Sequence, residues 1–345
     1  MNGPGLSILG VGCVTALGRN WESVWGKIRD GKTPAIEFSQ GPGCPLPVGV
    51  YKTAQPDVPP GSVARLRRSG AISYFSCAAA ADAVQHSGLL PAGRTALIFA
   101  ASDGAVAYTR RFFQDVVTVG AGSPLLFPET VYNAPISHVA AMLGLDGIVL
   151  TLVNDASAGM DALSTASALI HSGQADLCLV VAAEELDWIA CEGYRRWGMA
   201  ASGPGAKNRP VLSEGAVALL LGMPSPAHVQ IARVHPGRTL RRHSSPRQTI
   251  RRVFEELADG EDPGLAVLSS CGAGGESIEG SLVRECFPGA RLLSPKQSAG
   301  EAFAASSLLQ CLCAWQELQQ AGNAIVPVLG WSGQVGGAFL KSPEI

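Results

Sequence analysis

The repeated alternation of short apolar strands with alanine-rich helices constrains the fold of this chain more than any other feature. Strand-like segments at 95–101 and 228–234 are followed by helical segments, and the helical segment at 158–172 is rich in small residues. Strands and helices that alternate in this way bury a sheet between layers of helices. Because the pattern begins again after residue 224, the sequence predicts an α/β protein with two similar halves, 1–224 and 225–345.

Composition and charge exclude several classes of protein. Apolar residues make up 47% of the 345 residues and charged residues only 16%, which allows a large core and argues against disorder. The net charge of −2 gives no electrostatic reason to expect nucleic acid or an anionic membrane as a partner. No apolar run reaches the ~18 residues of a membrane span. We interpret the basic segment at 238–252 as solvated surface.

The cysteine pattern and the N-terminus indicate the cellular compartment. None of the nine cysteines has CxxC or zinc-like spacing, which is typical of a reduced intracellular protein. The first residues lack a basic region and a cleavage signature, so no export is indicated and we expect a cytoplasmic protein. The sequence has no dinucleotide fingerprint, P-loop or metal-ligand cluster, so we expect no cofactor and no metal.

The segment at 151–181, TLVNDASAGMDALSTASALIHSGQADLCLVV, has the form of a support for a catalytic nucleophile. An apolar strand runs into a turn of small residues, and an alanine-rich helix follows at once. Such an elbow presents one side chain at the positive end of a helix dipole. The residue at its tip is Ala156, which has no nucleophilic atom. The next residue is Ser157, which we interpret as a helix N-cap.

Several segments together resemble the β-ketoacyl synthases, which have the thiolase fold. They are ILGVGCVTALG near the N-terminus, NAPISHVAAMLGL before the elbow, LSEGAVALLLG, and SPKQSAGEAFAAS in the second half. The correspondence covers most of the chain in order. It implies two pseudo-symmetric halves, each with a mixed β-sheet, in a five-layered αβαβα arrangement.

The resemblance also implies that three catalytic side chains are missing. Active members of the family have a cysteine at the elbow and two histidines, one in HGTxT and one in GHxxGAAG. The corresponding residues in this chain are Ala156, Cys271 and Glu301. Alanine cannot form a thioester, and a carboxylate at Glu301 would repel the carbanion and oxyanion that a histidine stabilises. The expectation is a retained fold without the family's catalysis.

Two charged residues of the family's polar network are retained, Glu214 and Lys296. Buried charges cost several kcal/mol unless they are paired, so we expect these two side chains to meet, with Glu301 as a further partner. The alternative is that Lys296 is exposed at the start of a helix. Near the C-terminus, LGWSGQVGG lies where the family has a glycine-rich loop whose phenylalanine gates acyl entry. The sequence alone does not identify an equivalent of that residue.

The missing nucleophile leaves three functional hypotheses. The resemblance favours a chain-length-factor-like, non-catalytic subunit of a type II polyketide synthase, which forms a heterodimer with an active ketosynthase and shapes its acyl-chain tunnel. The second hypothesis is an acyltransferase or hydrolase of altered chemistry that uses Ser157 or Cys271. The third is a scaffold or binding module that has no ketosynthase partner.

Under the first hypothesis, the helix after residue 101 contributes to the wall of the partner's tunnel. The candidate lining residues are Ala105, Ala107, Tyr108 and Phe112, although aromatic residues at helical spacing also occur in ordinary cores. Small side chains at 105 and 107 leave room for a rod-like acyl chain. Chain-length factors of aromatic systems usually have glutamine where this chain has Ala156, so the sequence favours a polyene from a highly reducing system. The phosphopantetheine of the acyl carrier protein is expected on the partner's side.

Overall fold

The computed structural model of the protein describes residues 5–91, 93–200, 210–240, 245–271 and 277–344. The strands of these residues are β1 (Leu6–Thr15), β2 (Glu37–Ser39), β3 (Val48–Tyr51), β4 (Thr95–Ala101), β5 (Val149–Val153), β6 (Leu177–Glu184), β7 (Leu212–Ser213), β8 (Gly215–Gly222), β9 (Gln230–Thr239), β10 (Leu265–Val267), β11 (Arg291–Leu293), β12 (Asn323–Leu329) and β13 (Gln334–Lys341). The helices are α1 (Trp21–Arg29), α2 (Pro60–Leu66), α3 (Ala71–Ser87), α4 (Val106–Val119), α5 (Ala134–Leu143), α6 (Ala158–His171), α7 (Trp188–Arg196), α8 (Pro246–Ala258), α9 (Ile278–Cys286), α10 (Lys296–Ala299) and α11 (Phe303–Glu317), with a 3₁₀ turn at Phe127–Glu129.

Ten of the strands form one mixed sheet in the order β11-β10-β12-β13-β9-β1-β8-β6-β4-β5. From each outer edge inward, the pairing is parallel, parallel, antiparallel and antiparallel, so the two groups of five strands repeat one topology. The resemblance implies a mixed sheet in each half. In the structure the two are continuous, because β1 and β9 pair through Leu6 with Ile231 and Ser7 with Gln230. The predicted division at 224/225 lies in the connection between β8 and β9.

The helices form three layers around the two groups of strands. Helices α3 and α5 cover the outer face of the first group, and α8 and α9 cover that of the second. Helices α6 and α11 contact each other and strands of both groups, so they are the central layer. Apolar clusters fill the spaces between the layers. Twelve residues of α11 are buried, and eight of them belong to the largest of these clusters. This is the five-layered arrangement that the resemblance implies.

The central helices come close because one residue of α6 has no side chain. A Cβ built on Gly159 would lie 2.1 Å from Oγ of Ser307 on α11. Separations below 3.0 Å essentially never occur for a real Cβ, so any larger residue would push the helices apart. The small residues of the elbow helix therefore serve the packing of α6 against α11.

One predicted helix is wrong. The sequence predicts a single helix over 62–87, whereas the structure has α2 and α3 with a break between them. Gly70 is extended at the break, and the buried carboxylate of Glu185 accepts a hydrogen bond from the Ile72 amide at 3.1 Å. This carboxylate satisfies a free amide at the start of α3, and it comes from a residue far away in the sequence. No helix of the described residues is long and apolar enough to cross a membrane.

Candidate functional site

The elbow connects β5 to α6 and places Ala156 at its tip. The side chains of Ala156 and Ser157 are fully buried, and Ser157 precedes the first residue of the helix with φ −77° and ψ −9°. Asp155 holds the turn, because its Oδ1 accepts a hydrogen bond from the Ser157 amide at 2.9 Å. The elbow is thus fully formed although its tip carries only a methyl group.

The side chain of Ser157, at the N-cap position of α6, belongs to a polar network. Its Oγ donates to Oε1 of Gln334 at 2.5 Å and accepts from Nδ2 of Asn154 at 3.2 Å. Nδ2 of Asn154 also donates to Oδ2 of Asp161 at 2.7 Å. Ser157 occupies the predicted N-cap position of α6, but its side chain forms no capping hydrogen bond to the helix backbone. The hydroxyl proton points at an amide oxygen, which is too weak a base to activate a nucleophile.

The loop before β13 is fastened over the elbow. Oδ2 of Asp155 accepts hydrogen bonds from the amide and the hydroxyl of Ser332 at 3.1 and 2.5 Å. A Cβ on residue 330 would lie 1.9 Å from the same oxygen, so a larger residue than Gly330 would displace the Asp155 carboxylate. Between them, Trp331 reaches into the site, and its Nε1 donates to Oε2 of Glu301 at 3.2 Å. Trp331 is therefore the aromatic residue with which this loop enters the site. The sequence alone did not show that it does so.

Glu301 lies at the centre of the site and is paired with Lys296. Nζ of Lys296 is 2.7 Å from Oε2 of Glu301, and both side chains are 1% exposed. Oε1 of Glu301 accepts from the Phe303 amide at 2.9 Å. Burial by itself lowers the pKa of Lys296, but the Glu301 carboxylate, together with Cys271 and Glu279, outweighs it, and the pKa is raised. The lysine therefore stays charged inside the protein, and the alternative of an exposed Lys296 is wrong.

The expected contact between Glu214 and Lys296 is also wrong. Oε2 of Glu214 accepts from Nζ of Lys52 at 3.0 Å and from the Leu186 amide at 2.8 Å. Lys296 pairs with Glu301 instead, which was the further partner expected from the sequence. Sequence reasoning missed Lys52 because it lies 162 residues from Glu214 and no local pattern links the two.

Cys271 lies next to Glu301, with its Sγ 3.9 Å from Oε2. Burial, reinforced by the Glu301 carboxylate, raises the pKa of the Cys271 thiol to about 12. Reactive cysteines have the opposite property, a lowered pKa that supplies the thiolate. The segment CGAGG, which begins at Cys271, corresponds to the family's HGTxT. Its remaining residues lie within 272–276, outside the described residues.

Three aromatic rings fill the space beside Glu301. The rings of Tyr194 and Phe303 stack with centroids 4.7 Å apart, and the Trp331 ring contacts Phe303 at 5.3 Å. Phe303 has φ +43°, a left-handed conformation that costs a residue with a side chain ~1–2 kcal/mol. The hydroxyl of Tyr194 donates to Oδ1 of Asp103 at 2.9 Å. Packing and hydrogen bonds around the ring thus hold Phe303 in a strained position.

A second buried acid lies at the end of β6. Glu184 accepts hydrogen bonds from the amides of Ser102 at 2.5 Å and Asp103 at 3.1 Å. Burial, together with the nearby Asp103 carboxylate, raises the pKa of Glu184 well above the usual range of a glutamate. Burial also raises the pKa of Asp103. The two carboxyl groups therefore hold protons more tightly than exposed acids do. Within the described residues, no group of three or more His, Cys, Asp and Glu side chains is arranged to hold a metal ion.

The four candidate tunnel residues lie at the start of α4, in different environments. Ala105 is 5% exposed and belongs to the chain's own core, which leaves little of it to line a partner's tunnel. Ala107, Tyr108 and Phe112 are partly exposed, as no residue of α4 is fully buried. The Phe112 ring packs against Phe127, with centroids 5.7 Å apart. These three side chains are therefore available to a neighbouring subunit.

A set of exposed apolar side chains surrounds these residues, and we call it the apolar face. Helix α4 contacts the 3₁₀ turn, the turn contacts α5, and α5 contacts the edge strand β5. The exposed side chains of these elements and the segment between them are Phe113, Val117, Val119, Leu125, Phe127, Val131, Tyr132, Val149 and Val153. Contiguous apolar surface of this kind marks an interaction site.

The family assignment follows from a sequence profile. The profile described as the N-terminal domain of β-ketoacyl synthase matches residues 5–226, which is more than half of the chain. The chain belongs to the β-ketoacyl synthase family. None of the curated proteins shows significant sequence similarity to it.

Solved ketosynthase structures share the fold along the whole length. The ishigamide ketosynthase/chain length factor matches with TM-score 0.76 and 19% identity over 99% of this chain and 100% of that chain. A β-ketoacyl synthase from Burkholderia phymatum STM815 matches with TM-score 0.81 and 17% identity over 98% and 99%. The ketosynthase ApeO in complex with its chain length factor ApeC, from Xenorhabdus doucetiae, matches with TM-score 0.81 and 16% identity over 98% of each chain. At these identities the likeness establishes the thiolase-like fold alone.

Proposed function

We propose that the protein is the chain-length-factor-like partner of an active ketosynthase in type II polyketide biosynthesis, and that it catalyses no reaction itself. The observation that carries the proposal is Ala156 at the tip of an intact elbow. A family member with this residue cannot take an acyl group from a carrier. Glu301 and Cys271 replace the two histidines, so nothing at these positions resembles the family's base or oxyanion donor.

The apolar face supports a role in shaping a second subunit. A wall that fixes the length of an acyl chain acts by volume, so it needs side chains at the interface and no reactive group. We assign this role to Ala107, Tyr108 and Phe112, because they are partly exposed on α4 and Phe112 packs against Phe127 of the apolar face. Two of the similar structures are ketosynthases described with a chain length factor, which is consistent with this role.

We extend the proposal to the kind of acyl product and to the subunit that the phosphopantetheine arm of the acyl carrier protein enters. Since Ala105 is buried in the core, we assign the room for a rod-like polyene chain of a highly reducing system to the small side chain of Ala107. Another structure with this fold is described as a type II acyl carrier protein in complex with its ketosynthase. We accordingly assign the entry of the phosphopantetheine arm to the ketosynthase partner.

The acyltransferase or hydrolase alternative has weak chemical support. The Ser157 hydroxyl donates to the Gln334 amide oxygen, so no base takes its proton. The Cys271 thiol has a pKa near 12 and a carboxylate beside it. Neither side chain is activated in the way that a nucleophile requires.

The deciding experiment is co-expression with a ketosynthase that has the elbow cysteine and both histidines. We expect a stable heterodimer on co-purification, whereas the chain expressed alone should be poorly soluble because its apolar face is bare. A soluble monomer or homodimer that does not bind the ketosynthase would favour the scaffold hypothesis instead.

Acylation distinguishes the non-catalytic proposal from altered chemistry. The isolated chain, incubated with a labelled acyl carrier protein, should keep its unmodified intact mass. A covalent adduct that disappears in Ser157→Ala or Cys271→Ala would overturn the proposal.

A further inference from the structure

A cleft of about 670 Å³ lies where α1, α3 and the end of α11 meet β1, and we call it the tryptophan cleft. Its rim is open to solvent, since Glu22, Gln85 and His86 are exposed, and Val11 and Cys13 of β1 lie buried at its floor. Among the described residues, those of the elbow and of the apolar face do not line it. Its volume is typical of a small-molecule site, and the function proposed above does not use it.

Two indole rings line the tryptophan cleft, and contacts within the chain hold each of them. Nε1 of Trp21 donates to Oε1 of Gln316 at 2.7 Å, and the Trp21 ring stacks on Trp25 with centroids 6.0 Å apart. The Trp315 ring meets the His86 ring nearly at right angles, with centroids 5.4 Å apart. Both rings pack on the core yet remain partly exposed. They are therefore fixed before a ligand arrives, which lowers the entropic cost of binding.

The guanidinium of Arg19 lines the cleft but is already engaged. Its Nε and Nη2 donate to the two carboxylate oxygens of Asp82 at 2.8 and 2.6 Å, and its Nη1 donates to the Asp57 carbonyl at 2.6 Å. Burial lowers the pKa of His86, so this imidazole is neutral near pH 7. Among the described residues that line the cleft, no cation is therefore left to hold an anionic ligand.

Two carboxylates at the cleft keep their negative charge. Glu22 lines the cleft, is exposed, and forms no ion pair within the described residues. The carboxylate of Asp57 lies near Arg19, because Asp82 and, to a smaller degree, Asp57 raise the pKa of that arginine. Since Asp82 already balances Arg19, the charge that remains at the cleft is negative.

We propose that the tryptophan cleft binds an organic ammonium ion, with its charged head against the indole rings and towards Glu22. The face of an aromatic ring attracts cations, and tryptophan does so more strongly than tyrosine or phenylalanine. The unpaired carboxylate adds charge complementarity, whereas an anion would be repelled and a neutral apolar molecule would gain nothing from it. Binding of this kind does not depend on the proposed heterodimer.

Saturation-transfer difference NMR tests the proposal on the soluble protein, either the chain alone or its complex with the ketosynthase. The probe is choline, which carries a permanent trimethylammonium charge. The matched ligand is its neutral isostere, in which a quaternary carbon replaces the nitrogen. We expect saturable binding of choline and at least about fivefold weaker binding of the isostere. The difference should decrease at high salt.

Substitutions locate the binding in the cleft. Trp315→Leu removes one ring and should weaken choline binding about threefold or more. Glu22→Gln removes one exposed charge and should weaken it about twofold. The matched controls are Trp197→Leu, at a tryptophan that is 73% exposed outside the cleft, and Glu255→Gln, at an exposed glutamate of α8 with no ion pair within the described residues. Both controls should bind choline like wild type.

Three results would overturn the proposal: no binding of choline, equal binding of choline and its isostere, or choline binding that both cleft variants leave unchanged. Glu22→Gln alters only an exposed side chain, so it keeps the test decisive if Trp315→Leu lowers the melting temperature. A wild-type chain that binds choline but no ketosynthase would remove the proposed heterodimer and leave the cleft's function standing.

Discussion

At the scale of single residues, the site contains a buried ammonium, Lys296, paired with a buried carboxylate, Glu301. Lys296 and Glu301 are 2.7 Å apart, and Trp331 and the Phe303 amide complete the coordination of the carboxylate. Such a pair neutralises itself, so it stabilises the local structure but offers no proton acceptor to a substrate. Glu301, which the resemblance aligns with a catalytic histidine, is thus fully engaged by Lys296, Trp331 and the Phe303 amide.

Breaking this pair on one side should destabilise the protein strongly. Lys296→Met leaves the Glu301 carboxylate buried without its cation, and we expect a loss of about 3–5 kcal/mol in the free energy of unfolding, measured by urea denaturation. The double variant Lys296→Met/Glu301→Leu removes both charges and should recover much of the loss. A single variant as stable as wild type would show that the two charges are not buried together.

The raised pKa of Glu184 predicts a dependence of stability on pH. A carboxyl group whose pKa is higher in the folded state favours folding when protonated, so wild type loses stability as the pH rises from the unfolded pKa, about 4.3, towards the folded value. Glu184→Gln cannot titrate. Its stability relative to wild type should therefore increase with pH by at most about 1.4 kcal/mol per unit, as measured by denaturation from pH 4 upward. A constant difference over that range would contradict the assignment.

At the scale of elements, the elbow helix is defined by what it packs against. Helix α6 contacts α11 through Gly159 and Ser307, and the loop before β13 binds the elbow through Asp155. These contacts explain why the elbow persists without a nucleophile, since the same small residues hold the central layer together. Its structural use does not depend on the residue at position 156.

A methyl group at residue 159 should separate the central helices. Gly159→Ala places a Cβ 2.1 Å from the Ser307 hydroxyl, and overpacking of this kind costs about 1–3 kcal/mol of unfolding free energy. Adding Ser307→Ala should restore part of it, because the clashing oxygen is gone. The control is Gly26→Ala in α1, where a Cβ meets nothing within 4 Å and should stabilise slightly. Equal effects at both glycines in thermal denaturation would rule out close contact between α6 and α11.

At the scale of the whole molecule, the apolar face is not covered by any other element of the described residues. The outer helices cover the outer faces of the sheet, whereas α4 and the edge strand β5 leave apolar side chains exposed. Val117 is 83% exposed, so an apolar side chain at this position contributes little to the stability of a monomer. A second subunit on this surface would complete the apolar burial.

Charged substitutions on the apolar face should abolish heterodimer formation without harming the fold. Phe113→Asp/Val117→Asp introduces two carboxylates where the partner must pack, and we expect no co-purification with the ketosynthase, while the solubility of the isolated chain improves. The control is Leu90→Asp, since Leu90 is 88% exposed just after α3 and lies outside the apolar face. Retained co-purification of the double variant would place the interface elsewhere.

The sequence by itself indicated the main strands and helices of both halves and the elbow, and the resemblance supplied Ala156, Cys271 and Glu301 as candidates for the three catalytic positions. Strand β4 has the predicted bounds, and α6 ends within one residue of its prediction. Both segments are specified by their own apolar and small residues, whose periodicity reflects what each segment buries. The sequence draws attention to Ala156 because the turn around it is contiguous in the chain.

Only the tertiary structure decided the partners of the buried charges. Glu214 binds Lys52, Glu185 accepts from the Ile72 amide where α3 begins, and Trp331 reaches Glu301 from a loop 30 residues away. A buried charge needs a counter-charge or a donor, but its own segment does not specify which residue supplies it. The sheet topology brings those residues together from distant parts of the chain.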